Sequence, residues 1–309
     1  MGTPIDSVLL IAFGGPARPE DVRPFLQAVT AGRRVPPERL EEVARHYELI
    51  GGRSPLHALT RRQAEGLRAA LDAEGCPLPV WVGMRSWPPL LPEVIAEMKD
   101  RGRQRALGII LSSLQTEASW SRYVDDVTAA RAKVGPDAPQ IVFAPPWGEH
   151  PRFIDAMVDR ARVALDGVAP ARRAGARLVF TAHSVPLAMA AGSPYAAQLE
   201  TVARTIAARC GSASFALAYQ SRSGSPREPW LEPDVRDVIR ALAREGARDV
   251  VVVPVGFVCD HVEVLYDLDV EARVVAEACG MSFHRASTAN DHPAFIAMLA
   301  DLVRRGDGA

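Results

Sequence analysis

A chain of 309 residues with 36 basic and 37 acidic side chains, a net charge of −1 and 48% hydrophobic content has the make-up of a soluble globular protein with room for two moderate domains. The balanced charge gives no bulk attraction for nucleic acid or an anionic membrane, and no stretch approaches the roughly 20 apolar residues that span a bilayer. The cysteines, Cys76, Cys210, Cys259 and Cys279, are scattered without a C-x-x-C pair, which fits a reducing, cytoplasmic setting.

In chain order, MGTPIDSVLLIAFGGP has a short apolar run but no basic leader or small-residue cleavage site, so it is expected to be a first strand and not a signal. Further Val/Ile/Leu-rich runs follow at 79–84, 106–113, 140–144, 177–184, 215–221 and 249–258. Between them lie amphipathic segments such as PEVIAEMKDRG (92–102), AAQLETVARTIAARC (196–210) and PDVRDVIRALAREG (233–246). Apolar strands alternating with helices predict an α/β protein with parallel sheets covered on both faces. Polar segments at 145–151 and 165–176 place the division between two lobes of similar make-up, 1–150 and 151–309.

Ligands of open parallel sheets bind beyond the carboxyl ends of the strands. Those positions hold Gly14-Gly15-Pro16, Arg85-Ser86-Trp87, Gln115-Thr116-Glu117, His183-Ser184, Gln220-Ser221-Arg222-Ser223 and Asp260-His261-Val262-Glu263. His183 at a strand mouth is a titratable group near neutrality, or equally a histidine hydrogen-bonded to backbone. Ser184 beside it lacks the Gly-x-Ser-x-Gly turn of a hydrolase, and no phosphate loop is present.

The segment after the last strand poses a sharper question. Glu263, Asp267 and Glu271 recur every fourth residue, which lines three carboxylates along one helical face. Like charges at that spacing repel, and the helix dipole offsets only those in the first turn. Arg273 is the only base close in sequence, and Asp269, on another side of the wheel, is expected to be a solvated charge. Carboxylates leading from a strand end can relay protons or hold a cation, and imidazole supplies the nitrogen that transition metals prefer. GGRSPL (51–56) is turn chemistry that serves a structural loop or a ligand contact equally well.

Taken jointly, LLIAFGGP (9–16), HYELIGGRSPL (46–56), FTAHSVP (180–186), YQSRSGSPREPWLEPDV (219–235) and VPVGFVCDHVEVLYDLDVEA (253–272) resemble the ferrochelatase family over nearly the whole chain. The resemblance implies two Rossmann-like lobes with a porphyrin cleft between them, and insertion of ferrous iron into the macrocycle. It implies that His183 and Glu263 are catalytic, with Asp267 and Glu271 joining them as residues that handle metal or protons. VTAGRRVPPERLEEV (29–43) and the short termini look most like the bacterial branch acting on coproporphyrin III. On that likeness Ser54, Tyr123, Phe13, His46 and Arg33 are the expected substrate contacts.

Phe13 stands where several members carry a tyrosine, which removes axial ligation by that side chain. Trp120 occupies a place where cluster-bearing relatives have cysteine, and no cysteine-rich tail follows Arg305, so no iron–sulfur cluster is expected. The implied partners are porphyrin and ferrous iron, both substrates, with transient contact to neighbouring haem-pathway enzymes and no permanently bound cofactor. Protoporphyrin IX is the alternative substrate and a cobalt or nickel chelatase the nearest enzyme rival, since imidazole and carboxylate do not by themselves select iron. A porphyrin carrier without chemistry would need the cleft but not the acids at 263, 267 and 271.

Overall fold

The computed structural model describes residues 4–32, 35–224 and 227–306. It contains two four-stranded, all-parallel sheets. The first is built from β1 (Ser7–Ala12), β2 (Val80–Met84), β3 (Arg105–Ile110) and β4 (Gln140–Phe143), in the order β2-β1-β3-β4. The second is built from β5 (Arg177–His183), β6 (Phe215–Gln220), β7 (Asp249–Val253) and β8 (Ser282–Arg285), in the order β6-β5-β7-β8. The two sheets therefore repeat one topology, a duplication that no residue-level repeat in the sequence shows.

Every residue of β1 and of β7 is buried, as central strands covered by helices on both faces require. Each fully buried Val, Leu or Ile there contributes about 1.5–3 kcal/mol. β7 stops at Val253 because Pro254 has no amide for the ladder, so the predicted run to 258 is part strand and part turn. β8 was absent from the predicted strands. Its sequence, SFHR, is short and mostly polar, as an edge strand at low burial allows.

The chain divides into two compact units, Met1–Ser112 with Ala118–Pro145 and Asp291–Ala309, and Ser113–Glu117 with Pro146–Asn290. The last helix, Pro293–Gly306, thus lies with the first sheet, not in a lobe running from 151 to 309. Its face of Phe295, Met298, Leu299, Leu302 and Val303 is buried. Ile296 packs so closely on helix Leu56–Ala73 that a Cβ at Gly66 would lie 3.1 Å from it. Arg62 and Asp291 add an ion pair at 2.7 Å.

In the second unit, helix Val235–Arg244 begins where the Asp234 carboxylate accepts from the Arg236 amide at 2.9 Å. Its stripe of Val235, Val238, Ile239 and Leu242 packs with Val179, Val250 and Val252 of the sheet. The same cluster takes in Val264, Leu268, Ala272 and Ala276, which recur every fourth residue along the segment carrying the acids. Each acid immediately precedes an apolar anchor. Burial of one line therefore fixes the direction of the other.

Candidate functional site

From β5 the chain crosses to β6 on one side and returns to β7 on the other, so the second sheet's topological switch point lies at the ends of β5 and β7. β5 ends in His183. The turn after β7 folds back against β5, where the Gly256 amide donates to the Thr181 carbonyl at 3.0 Å. Any side chain at 256 would place Cβ 2.6 Å from the Ala182 Cα, so only glycine permits the approach. The result brings Glu263, in the short helix Val262–Leu265, to His183.

His183 Nε2 lies 3.6 Å from Glu263 Oε1, with the two side chains 28% and 37% exposed. The other oxygen, Oε2, lies 3.3 Å from His261 Nε2, so the carboxylate sits between two imidazoles. His183 Nδ1 meets the Ser184 carbonyl, which can only accept; Nδ1 therefore carries a proton. Tyr195 holds the backbone of the same residue, its hydroxyl donating to the His183 carbonyl at 2.8 Å. With Nδ1 protonated, a second proton on Nε2 makes the ring an imidazolium facing a carboxylate. Burial alone would pull the His183 pKa down, but the charge and hydrogen bonding of Glu263 outweigh it and raise the pKa. Burial likewise opposes ionisation of Glu263, yet His183 and His261 together hold its pKa well below the usual carboxylate range.

Asp267 behaves in the opposite way. Burial pushes its pKa up to about 7, opposed by a hydrogen bond from Ser221 and reinforced by the charges of Glu263 and Glu271. The Ser221 hydroxyl donates to Asp267 from a residue with φ 61°, a left-handed conformation that favours glycine. Glu271 is answered by Arg236 at 3.5 Å. Residues Asp267–Ala272 form a π-helical turn, closed by a bond from the Glu271 amide to the Tyr266 carbonyl at 3.0 Å.

The compensation for the acids thus comes from distant chain, not from Arg273 alone. Asp269 is corrected in the same way: it is no solvated charge, since Arg285 binds it at 2.8 Å and Asp260 at 3.0 Å. Asp260 also accepts from the Thr288 amide and the Asn290 side chain. No residue of this clamp, apart from Asp260 itself, carried a local sequence signal. The same holds for Tyr195 and Arg236.

His183, Glu263, Asp267 and Glu271 do not converge as a ligand set: among the described residues no group of three or more His, Cys, Asp or Glu could hold a metal ion. What the structure brings together is an imidazole–carboxylate pair, with Asp267 close enough for its charge to be felt by both His183 and Glu263. The four cysteines are free thiols, with Cys259 buried.

In the first unit, Phe13 follows β1, 40% exposed, and packs edge-on to Phe25. Arg85, paired with Asp126, lies over the Tyr123 ring at 4.3 Å and 5.9 Å from that of Phe13. Tyr123 is buried. Ser54 is 5% exposed, and its hydroxyl accepts from the Leu56 amide at 3.3 Å, which caps the turn entering helix Leu56–Ala73. His46, half-buried in the last turn of helix Pro37–Leu49, has its pKa lowered by burial and by Arg39, so it is a neutral imidazole at pH 7. Arg33 lies outside the described residues.

A duplicated parallel α/β fold thus carries an imidazole–carboxylate pair and a buried acid near pKa 7 at a switch point, groups whose chemistry suits proton exchange at a strand-end site. The ferrochelatase family profile matches residues 6–307. The coproporphyrin III ferrochelatase of Mycolicibacterium paratuberculosis is 46% identical over 301 residues, covering 96% of this chain and 87% of the relative. The enzyme of the same name from Nocardia farcinica is 46% identical over 97% of this chain and 88% of its own length. Sirohydrochlorin chelatase SirB from Bacillus subtilis subspecies spizizenii, solved in complex with cobalt, has a similar fold at TM-score 0.57 and 11% identity, covering 98% of this chain and 95% of that one. The chain belongs to the ferrochelatase family, enzymes whose substrates are a porphyrin and ferrous iron.

Proposed function

We propose that this protein inserts ferrous iron into coproporphyrin III, with His183 and Glu263 as its catalytic pair. The observation that carries the reading is the His183–Glu263 pair at the switch point, in a chain so similar over its length to relatives of that name. Metallation replaces two pyrrole N–H protons by the metal, so the site must receive protons while it tolerates a dication. His183 presents Nε2 because Nδ1 is committed to the Ser184 carbonyl. An approaching dication disfavours the imidazolium and frees the Nε2 lone pair for a pyrrole proton or for iron.

Glu263 remains anionic across the physiological range and offsets the incoming charge. Asp267, near half-protonation at pH 7, is the next acceptor, and Glu271 continues the line outward. His183 and Glu263 hold the iron only in passing. Two protein donors suit a metal that is handed to four porphyrin nitrogens better than a closed four-ligand site would. The exposed ring of Phe13 offers apolar contact to the macrocycle, and exposed Arg45 and Arg53, near Ser54 in sequence, offer charge to propionates. Ser54 and Tyr123, both buried, act through the loop and the Arg85 stack they support. The reading places the reaction in the cytoplasm, with haem-pathway enzymes as transient neighbours and no resident cofactor or iron–sulfur cluster.

Side-by-side kinetics with coproporphyrin III and protoporphyrin IX, under anaerobic conditions with ferrous iron, test it. Coproporphyrin carries four propionates against two, and one or two shielded charge-assisted hydrogen bonds, at about 1.5–3 kcal/mol each, favour it by tenfold or more in kcat/KM. A clear preference for protoporphyrin IX would overturn the substrate assignment and leave the family membership untouched.

A further inference from the structure

On the open edge of the second sheet lies a cleft of about 320 Å³ that the proposed reaction does not use. β8 is the edge strand. Ser282 and Ala286 donate their amides inward, to the carbonyls of Arg248 and Val252 at 2.8 and 2.9 Å. Ladder alternation then turns the amides of Phe283 and Arg285 outward, and both residues line the cleft.

Three guanidinium groups line the same space. Arg285 is committed to Asp260 and Asp269. Arg273 donates to the Asp269 carbonyl at 3.1 Å, lies 3.8 Å from its carboxylate and covers the Phe283 ring at 4.9 Å. Arg160 reaches the Ala289 carbonyl at 3.3 Å, but its Nε is buried without an acceptor, and among the described residues no carboxylate pairs with it. Three cations facing two carboxylates leave one positive charge without a counterion. A buried donor without an acceptor is costly, and an oxyanion on Arg160 would satisfy it.

We propose that this cleft is a binding site for a small, multiply charged oxyanion, a phosphate or a polycarboxylate. Arg160 and Arg273 grip it, the outward amides of β8 donate to it, and any carbon skeleton rests on the exposed Val163. Forked guanidinium groups match the paired oxygens of carboxylate and phosphate, which a monatomic anion cannot use. Because Arg273 and Arg285 also hold Asp269 in the π turn, the occupant shares its arginines with the acidic segment of the active site. The inference does not depend on which porphyrin the enzyme prefers.

Isothermal titration calorimetry of the whole protein at low salt, with inorganic phosphate and with citrate in separate runs, tests the proposal. The expected result is saturable one-to-one binding tighter than about 1 mM for at least one anion. Binding by citrate alone identifies a polycarboxylate site, and binding by both a general oxyanion site. Val163→Asp adds a negative charge at a position 71% exposed, where folding is not at risk, and should weaken binding about tenfold or more. Arg160→Gln should do the same, with circular dichroism confirming that it folds. Absence of saturable heat from both anions up to about 10 mM, or unchanged affinity in both variants, would overturn the proposal.

Discussion

Glu263→Gln keeps the shape of the carboxylate proposed to be catalytic and removes its charge. At the 3.6 Å separation from His183, opposite unit charges attract by about 1 kcal/mol in bulk water and about 5 kcal/mol at an effective dielectric near 20. With the side chains 28% and 37% exposed, solvent screening puts the pair in the lower part of that range, about 1–2 kcal/mol. Loss of that attraction alone slows turnover about tenfold. A base that also passes on protons is worth about 10²–10⁴-fold, so the expected fall in kcat is a hundredfold or more.

A second readout follows from the same charge. The His183 pKa is raised because Glu263 outweighs burial, so in Glu263→Gln burial prevails and the imidazole titrates at lower pH. In the wild type the pair stabilises the fold below the unfolded histidine value near 6.5, and that stabilisation is lost as pH rises through the raised folded value. The variant should flatten this slope. Metal insertion followed by porphyrin absorbance under anaerobic conditions gives kcat, and NMR titration of the histidine rings, assigned with His183→Gln, gives the second measurement. Turnover within about threefold of wild type, together with an unmoved His183 titration, would refute the reasoning.

Asp267→Asn should stabilise the protein at pH 8 and leave it unchanged at pH 4. The wild-type carboxyl, raised to about 7, favours the folded state while protonated and loses that advantage between about pH 4 and 7, a difference on the order of 2 kcal/mol that thermal unfolding at the two pH values would show. Gly256→Ala should cost about 1–3 kcal/mol in urea unfolding, because its Cβ would meet the Ala182 Cα at 2.6 Å; a neutral result would show that the turn relaxes freely. Arg285→Met should cost about 3 kcal/mol or more, since the arginine is 12% exposed and its loss leaves Asp260 without a counter-charge and Asp269 with only Arg273 at 3.8 Å, whereas the exposed Arg101→Met serves as the silent control.

The strands and long helices were legible because their burial is periodic. Helix Val235–Arg244 falls inside the segment expected at 233–246, and β1, β5 and β7 begin where their apolar runs begin. β8 was not legible, since two of its four residues are His and Arg and an edge strand needs less burial to pair. The last helix was not among the segments named in the sequence, and its packing on Leu56–Ala73 could not be read there, because an amphipathic pattern states that a face is buried and not against what. At the site, His183 and Glu263 stood out through their positions after apolar runs. Ser54 did not reveal that its hydroxyl serves the helix start. Asp269 was misjudged because its counter-charge, Arg285, arrives from a strand sixteen residues on, and the helical wheel holds no tertiary information.

The four-residue spacing that drew attention to the acids also explains the π turn. Along an α-helix, residues four apart drift round the axis by about 40° per step, so Val264, Leu268, Ala272 and Ala276 would gradually leave a flat sheet. The bond from the Glu271 amide back to Tyr266 widens one turn, and each residue there advances less about the axis, which subtracts from the drift. All four anchors are buried to completion, so the correction succeeds. The acids, each one residue ahead of an anchor, are straightened by the same device. An uninterrupted α-helix would rotate Glu271 away from Asp267 and would weaken the repulsion that helps hold the Asp267 pKa near 7. A wide turn costs hydrogen-bond regularity, and here it is compensated by apolar burial below and by Ser221 and Arg236 above. Packing, not charge, therefore sets the line of carboxylates; along it two imidazoles hold Glu263 anionic against its burial, while burial holds the Asp267 pKa near 7.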